Sequence, residues 1–429
     1  MEKNKINYLL LRLGSGLLAL LPYCALHAIG RFLGSAIYYL APRARKKTLA
    51  NIAHAKSLNL NREQERSIAK GSFQSLMITC LEYAKFAKDP KVTKRFHCEN
   101  PEYAQSLIDQ GQGVIFFCAH QANWEALFIE GTQRMPGVAI GNNQKNPYLT
   151  KWVNSIRERF GGKIIPPKLS VKEGMRAIKQ GKFLGIVGDQ ALPGNGIHTP
   201  FLGTPAWTSP LPAILSYKLN CPTIFASIKR KKGRYYIHYS DPIWPSKEAS
   251  LQDETMRIMS ALLRQLEQSI AESPDQWMWQ HNRWKQETPD NVYYQFRHES
   301  IAIILPEDSF DRFAPLIPLF EQIYPHAFLT LIHPEDKALP SFRGTTLHYG
   351  PSASPYRDDL RVKLIFDFTN NRKLKKHYLK TGTLEVFSYE ELEKEALKKQ
   401  GVESADPREI TIKAICRPKF FSKLDNQPM

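Results

Sequence analysis

The sequence predicts an α/β fold: an apolar N-terminal helix, a domain with a mixed sheet flanked by helices, and a smaller C-terminal α/β domain. Three observations carry this. From about residue 96 to residue 272, short apolar runs alternate with amphipathic helical patterns, as in layered folds with a mixed or largely parallel sheet. A second set of short runs follows residue 290. Ahead of both, no charged residue interrupts Leu13 to Gly30, where Leu and Ala dominate.

That uncharged stretch is at the lower limit for a spanning helix, and Pro22 and His27 weaken it. A shorter apolar stretch, Phe32 to Ala41, precedes a basic cluster at Arg43, Arg45, Lys46 and Lys47. The arrangement reads as a membrane anchor over residues 1–47, either one tilted span or a helical hairpin lying in one leaflet. The basic flank suits the cytoplasmic face. No small-residue cleavage site marks a signal peptide.

Residues 48–286 form the main domain. Thr48 to Ala87 reads as helical, ended by Asp89-Pro90. Phe96 to Asn100 reads as a short strand. Val114 to Cys118 is an apolar run behind glycines, as expected of a strand buried on both faces. Beyond Ala119 the spacing becomes helical, through Trp124, Leu127 and Phe128, with Asn123 placed to cap that helix. Strands follow at Val138–Gly141, Lys163–Ile165, Phe183–Val187, Thr223–Ile228 and Arg234–Tyr239. Helices fall at Pro147–Phe160 and Gln252–Glu272, with Ser170 capping one that runs through Lys179 and Thr208 placed to cap one that runs through Tyr217. Around Thr288-Pro289-Asp290 a second unit begins, 290–429, with strands at Ile301–Leu305, Ala327–Ile332, Val362–Phe366 and Thr383–Phe387. It resembles a small Rossmann-type domain without GxGxxG or any phosphate loop. The residues after Pro418 read as a polar tail.

His120 stands where a buried strand has ended and a helix has not begun, the place where open α/β sheets bind ligands. Glu125 follows five positions later. Within one helix the two would diverge, at about 100° per residue, but across a strand-to-helix turn they can meet. A carboxylate on one imidazole nitrogen would fix the tautomer and free the other nitrogen to accept a proton from a hydroxyl. Taken alone, the pair also fits an ordinary polar residue at a strand end.

HQANWE resembles the H-x4-D/E motif of glycerolipid acyltransferases, in the HxxNWE form of the late acyltransferases of lipid A synthesis, the lauroyl and myristoyl transferases. Further blocks resemble that family in order: RERFGGKIIPP, GDQ with PFLGTPAWTSPLPAIL, and the closing PDQWMWQHNRWK. The resemblance covers roughly residues 1–286. Ala122 departs from it, standing where the family usually has Gly. The resemblance implies His120 as general base and Glu125 as the carboxylate that orients it. It also implies oxyanion donors among the backbone N–H groups after His120 or in Arg157, and Asp189 holding Arg157 or positioning the acceptor. Arg157, Asp189 and Asn123 are the substrate-binding candidates, although capping by itself explains Asn123, a turn explains Asp189 and a solvated helix face explains Arg157. Trp277, Trp279 and Trp284 read as packing residues or interfacial anchors, and His281 among them as structural.

The formal net charge of +18 favours acidic partners. Under the resemblance these are an acyl carrier protein as donor, a lipid A precursor as acceptor and membrane lipids. Arg230, Lys231 and Lys232 form a basic tip suited to such partners. No nucleic-acid-binding motif is present. The six scattered cysteines contain no CxxC, which argues against a disulfide framework or a zinc site. Neither metal nor cofactor is expected. The alternatives are acyl transfer to another glycolipid or a lysophospholipid, and a catalytically silent basic protein that binds membrane lipids. The implied location is the cytoplasmic face of the inner membrane.

Overall fold

A computed structural model describes residues 2–287, 290–351 and 353–418. Thr288 and Pro289 of the expected boundary, and the tail after Pro418, lie outside the described residues. Packing divides the chain into two units, Met1–Pro42 with Ala55–Arg283, and Arg43–His54 with Trp284–Met429.

The first unit opens with helices α1 (Glu2–Leu18) and α2 (Tyr23–Leu40), separated at Pro22, which stands in extended conformation at the α2 N-cap. Among the described residues no helix is long and apolar enough to cross a membrane. The apolar stretch is therefore two helices, because proline supplies no N–H to continue α1. Helix α3 (Pro42–His54) belongs largely to the second unit. Helix α4 (Arg62–Lys88) begins at a capping box, in which Asn61 and Gln64 exchange side-chain and backbone hydrogen bonds. This N-x-x-Q start splits the single helix expected over Thr48–Ala87. Gly30 and Gly34 allow α2 to lie directly on α4: a Cβ at Gly34 would fall 2.4 Å from the Gln74 Cα. Elsewhere α1, the turn after it and α2 leave apolar side chains bare, with Leu10, Leu13, Leu17, Leu20, Phe32 and Leu40 exposed.

The main sheet uses β1 (Phe96–Cys98), β2 (Val114–Cys118), β3 (Gly137–Ile140), β4 (Lys163–Ile165), β5 (Phe183–Val187), β8 (Thr223–Lys231) and β9 (Arg234–Tyr239). Between β5 and β8, the strands β6 (Ile197–Phe201) and β7 (Thr204–Thr208) form a separate hairpin, turning at Leu202-Gly203 with both residues at positive φ. Pro200 and Pro205 hide that hairpin in the sequence, since proline within an apolar run argues against a strand. The order of the main sheet is β1-β9-β8-β2-β5-β3-β4, with only β8–β9 antiparallel. Helices α5 (Glu102–Asp109), α6 (Glu125–Arg134), α7 (Pro147–Arg157), α8 (Ser170–Lys179), α9 (Leu211–Leu219) and α10 (Leu251–Glu272) complete the unit. Strand β2 is buried throughout and pairs in parallel with β5 and β8.

The second unit has a five-stranded parallel sheet in the order β12-β11-β10-β13-β14. Its strands are β10 (Ser300–Ile304), β11 (Phe328–Pro334), β12 (Thr345–Tyr349), β13 (Leu364–Asp367) and β14 (Glu385–Ser388). Its helices are α11 (Phe310–Phe313), α12 (Leu316–Ile323), α13 (Arg372–Thr381), α14 (Tyr389–Gln400) and α15 (Pro407–Ile415). Residues 43–54 pack in this unit instead of continuing the anchor or opening the main domain. Lys46 Nζ donates to the carbonyls of Leu379 (2.6 Å) and Thr383 (2.9 Å), and His54 stacks on Trp284. Two buried histidines should make this unit acid-sensitive. Burial, aided by the Lys363 charge, holds His54 down to about 3, and burial holds His298 down to about 4. Their folded values lie below the unfolded value near 6.5. The associated stability is present above pH 6.5 and lost as pH falls toward the folded values. The loss should be about 2 kcal/mol for each histidine at pH 5. Urea denaturation at pH 7.5 and pH 5, for wild type and His298→Asn, checks this; equal pH dependence in both would refute the assignment to His298.

Candidate active site

Strand β2 ends at Cys118, and the loop from Ala119 to Trp124 carries His120 beyond the sheet edge. Strand β5, its parallel neighbour, delivers Asp189 to the same edge. Gly188 allows the two strand ends to close, since a Cβ there would lie 2.3 Å from the Phe117 ring. The Asp189 carboxylate then takes both nitrogens that His120 offers: Oδ1 lies 2.7 Å from Nδ1, and Oδ2 accepts the His120 backbone N–H at 2.9 Å. Trp277 Nε1 donates to Oδ2 at 2.8 Å. Burial alone raises a carboxyl, but the His120 charge and the hydrogen bonds from His120 and Trp277 outweigh it and hold Asp189 well below the usual carboxylate range. An ionised carboxylate only accepts hydrogen bonds, so Nδ1 carries a proton, and in the neutral imidazole the lone pair is then on Nε2.

The carboxylate on the imidazole is thus Asp189, where Glu125 was expected. Glu125, the first residue of α6, is held by Arg157 through Nε at 2.8 Å and Nη2 at 2.5 Å. The planar guanidinium matches both carboxylate oxygens, a stronger arrangement than one bond to an imidazole. Burial opposes the Arg157 charge, but Glu125 and Tyr83 more than offset it, so its pKa rises. Asp189, for its part, does not hold Arg157.

Asn123 also differs from expectation. The residue at the N-cap of α6 is Trp124, in helical conformation and without a side-chain cap. Asn123 is fully buried and donates from Nδ2 to Glu82 Oε2 at 2.8 Å. Glu82 also binds His27 Nε2 at 2.7 Å and accepts from Tyr235. Its signal in the sequence is a charge on the apolar stripe Ile78, Glu82, Phe86, spaced by four. The same loop is fixed at Ala122, which sits at φ +47°. This left-handed turn explains a preference for glycine at the position. The Ala122 carbonyl accepts from Thr79 Oγ1, and its N–H donates to Gln276. The tryptophan block closes the loop from the other side, with Met278 N–H on the His120 carbonyl.

His281 belongs to this site as well as to the packing. Its ring centroid lies 4.9 Å from that of His120, and its Nε2 is 2.9 Å from Gln190 Nε2. Burial, with the His120 charge, holds it down to about 4, leaving it neutral near pH 7. Trp277, Trp279 and Trp284 are buried, as packing residues should be. Arg230 turns inward to Ser75 Oγ at 2.8 Å, so only Lys231 and Lys232 remain exposed at the expected basic tip.

His120 opens onto a cavity of about 280 Å³ between α6 and the sheet. Glu125, Arg157 and Gln190 line it together with apolar residues of β2, β3 and β5. The site is thus an aspartate-held histidine at a mainly apolar cavity, an arrangement that has the chemistry of a proton acceptor beside room for an apolar group. Residues 5–286 match the family model of bacterial lipid A biosynthesis acyltransferases. The chain belongs to this family and is an acyltransferase. It is similar to the lipid A biosynthesis acyltransferase of Haemophilus influenzae, with 24% identity over 273 residues, 61% of this chain and 82% of the relative.

Proposed function

We propose that this acyltransferase moves a fatty acyl chain from an acyl carrier protein thioester to a hydroxyl of a lipid A precursor, at the cytoplasmic face of the inner membrane. The observation that carries the reading is His120 Nε2, set by Asp189, at an apolar cavity in a chain of this family. Nε2 takes the proton of the acceptor hydroxyl as its oxygen attacks the thioester carbonyl. The tetrahedral intermediate collapses, the C–S bond breaks, and the imidazolium returns the proton to the leaving thiolate. The products are an ester and a free thiol, and Asp189 stays ionised throughout. The backbone N–H groups of His120, Gln121 and Ala122 are already hydrogen-bonded. The developing oxyanion is assigned to the remaining two candidates, the backbone N–H groups at the start of α6 and Arg157, a cation lining the cavity that Glu125 holds in place.

The donor and the membrane are assigned on charge and exposure. An acidic carrier suits a chain of net charge +18 with Lys231 and Lys232 exposed. The bare apolar side chains of α1 and α2 suit insertion into one leaflet, with α1 and α2 in the interfacial plane. Lys85 reaches the Ala19 carbonyl beside them.

The test is acyl transfer by the full chain in detergent micelles, from carrier protein and coenzyme A thioesters to a tetra-acylated lipid A precursor, read by mass spectrometry. A product heavier by one acyl group, formed faster from the carrier, is expected. Faster reaction with coenzyme A would overturn the donor, product only on another glycolipid would overturn the acceptor, and no transfer from any donor would overturn the reading.

A further inference from the structure

We infer that Gly131 and Phe183 set the length of acyl chain this protein accepts. The inference rests on reading the cavity as the acyl site. Strand β5 runs beneath the cavity from Phe183 to Val187, and Asp189 follows at the His120 end. The five-residue strand and the two residues after it place Phe183 at most about 20 Å from Asp189. Helix α6 covers the same cavity from Glu125, and Gly131 lies about 9 Å along its axis. The two elements meet at the end remote from His120. A Cβ on Gly131 would sit 3.4 Å from Phe183 Cζ and 3.9 Å from the Tyr239 hydroxyl.

Aromatic rings pack against one another at this end. The Phe183 ring lies on the backbone of Gly137, where a Cβ would fall 2.1 Å from the ring. Phe116 and Phe128 meet it edge-on, at 5.5 and 6.0 Å between centroids. Tyr239 is anchored by its hydroxyl to buried Glu130 at 3.1 Å. The small residues Gly185, Ala139 and Ala226 line the cavity between these rings and His120. The chain terminus would therefore reach a fixed aromatic wall, and the space in front of that wall exists because residue 131 has no side chain. A methyl group fits there in ordinary contact; anything larger occupies the room of the last carbons.

The experiment compares wild type, Gly131→Ala, Gly131→Val, Phe183→Leu and Phe183→Ala. Transfer is measured from decanoyl, lauroyl, myristoyl and palmitoyl carrier thioesters in competition. Binding of the four free fatty acids is measured in parallel by displacement of a fluorescent fatty acid, which needs no acceptor. Gly131→Val should move the preferred chain shorter, with discrimination of about tenfold or more for each methylene that no longer fits. Phe183→Ala should move it longer. Gly131→Ala and Phe183→Leu, which disturb the fold least, should shift in the same directions by less. An unchanged order of preference in folded variants, or equal losses for every chain, overturns the inference. If wild type transfers nothing yet the binding order shifts with these variants, the length determinant stands and the proposed reaction falls.

Discussion

His120→Ala should lower acyl transfer by about 10²–10⁴-fold, the usual contribution of a positioned general base. The side chain is only 15% exposed, but its one strong partner is Asp189, and the loop around it is held by other groups: Thr79, Glu82, Gln276 and Met278. The variant should therefore fold, and thermal denaturation beside the activity measurement establishes that. Loss of activity in a folded protein, with KM for the acyl donor little changed, assigns His120 to the chemical step. Transfer that survives the substitution would leave the family assignment intact and remove the base from the mechanism.

Asp189→Asn should cost about 10³–10⁴-fold in kcat while leaving the shape of the site. The amide is isosteric but neutral, and its NH₂ no longer requires a proton on Nδ1, so the imidazole is free to adopt the tautomer with Nε2 protonated. Glu125→Gln supplies the contrast. It leaves the Arg157 guanidinium, whose side chain is 14% exposed, without its carboxylate, and breaking a buried pair in this way costs about 3–5 kcal/mol of stability. The expected pattern is a large rate loss with modest destabilisation for Asp189→Asn, and a marked fall in Tm for Glu125→Gln. A larger rate loss per folded molecule for Glu125→Gln would return the orienting role to Glu125.

These two carboxylates show where reading the sequence succeeds and where it stops. Val114–Cys118, Lys163–Ile165 and Phe183–Val187 were legible to the residue, because apolar runs are local properties, whereas Ser170 and Thr208, expected as helix caps, lie within α8 and at the end of β7. His120, Glu125, Arg157 and Asp189 were legible as polar residues at strand and helix ends. Their partners were not. Asp189 reaches His120 across 69 positions because β5 lies beside β2, and strand order is decided by packing of the whole sheet. Glu125 sits only five residues from His120, yet Arg157 offers it two hydrogen bonds where an imidazole offers one. Asn123 has the chemistry of a helix cap, but Glu82 from α4 takes its amide first.

The same division holds over longer stretches. The uncharged run from Leu13 to Gly30 announced an apolar N-terminus, and Pro22 was visible within it. That the run becomes two helices, with Gly30 and Gly34 pressed against α4 and leucines left bare, depends on the surface α4 offers. Residues 43–54 carry a basic pattern that suits a membrane flank, yet they pack with the C-terminal sheet, where Lys46 finds two carbonyls. By itself the sequence determined the periodic elements, the fold class and the residue types of the site, since these follow from side-chain spacing and chemistry. The tertiary structure alone decided which carboxylate holds which cation and which aromatic rings close the cavity, because such contacts join segments that meet only when the sheet has assembled.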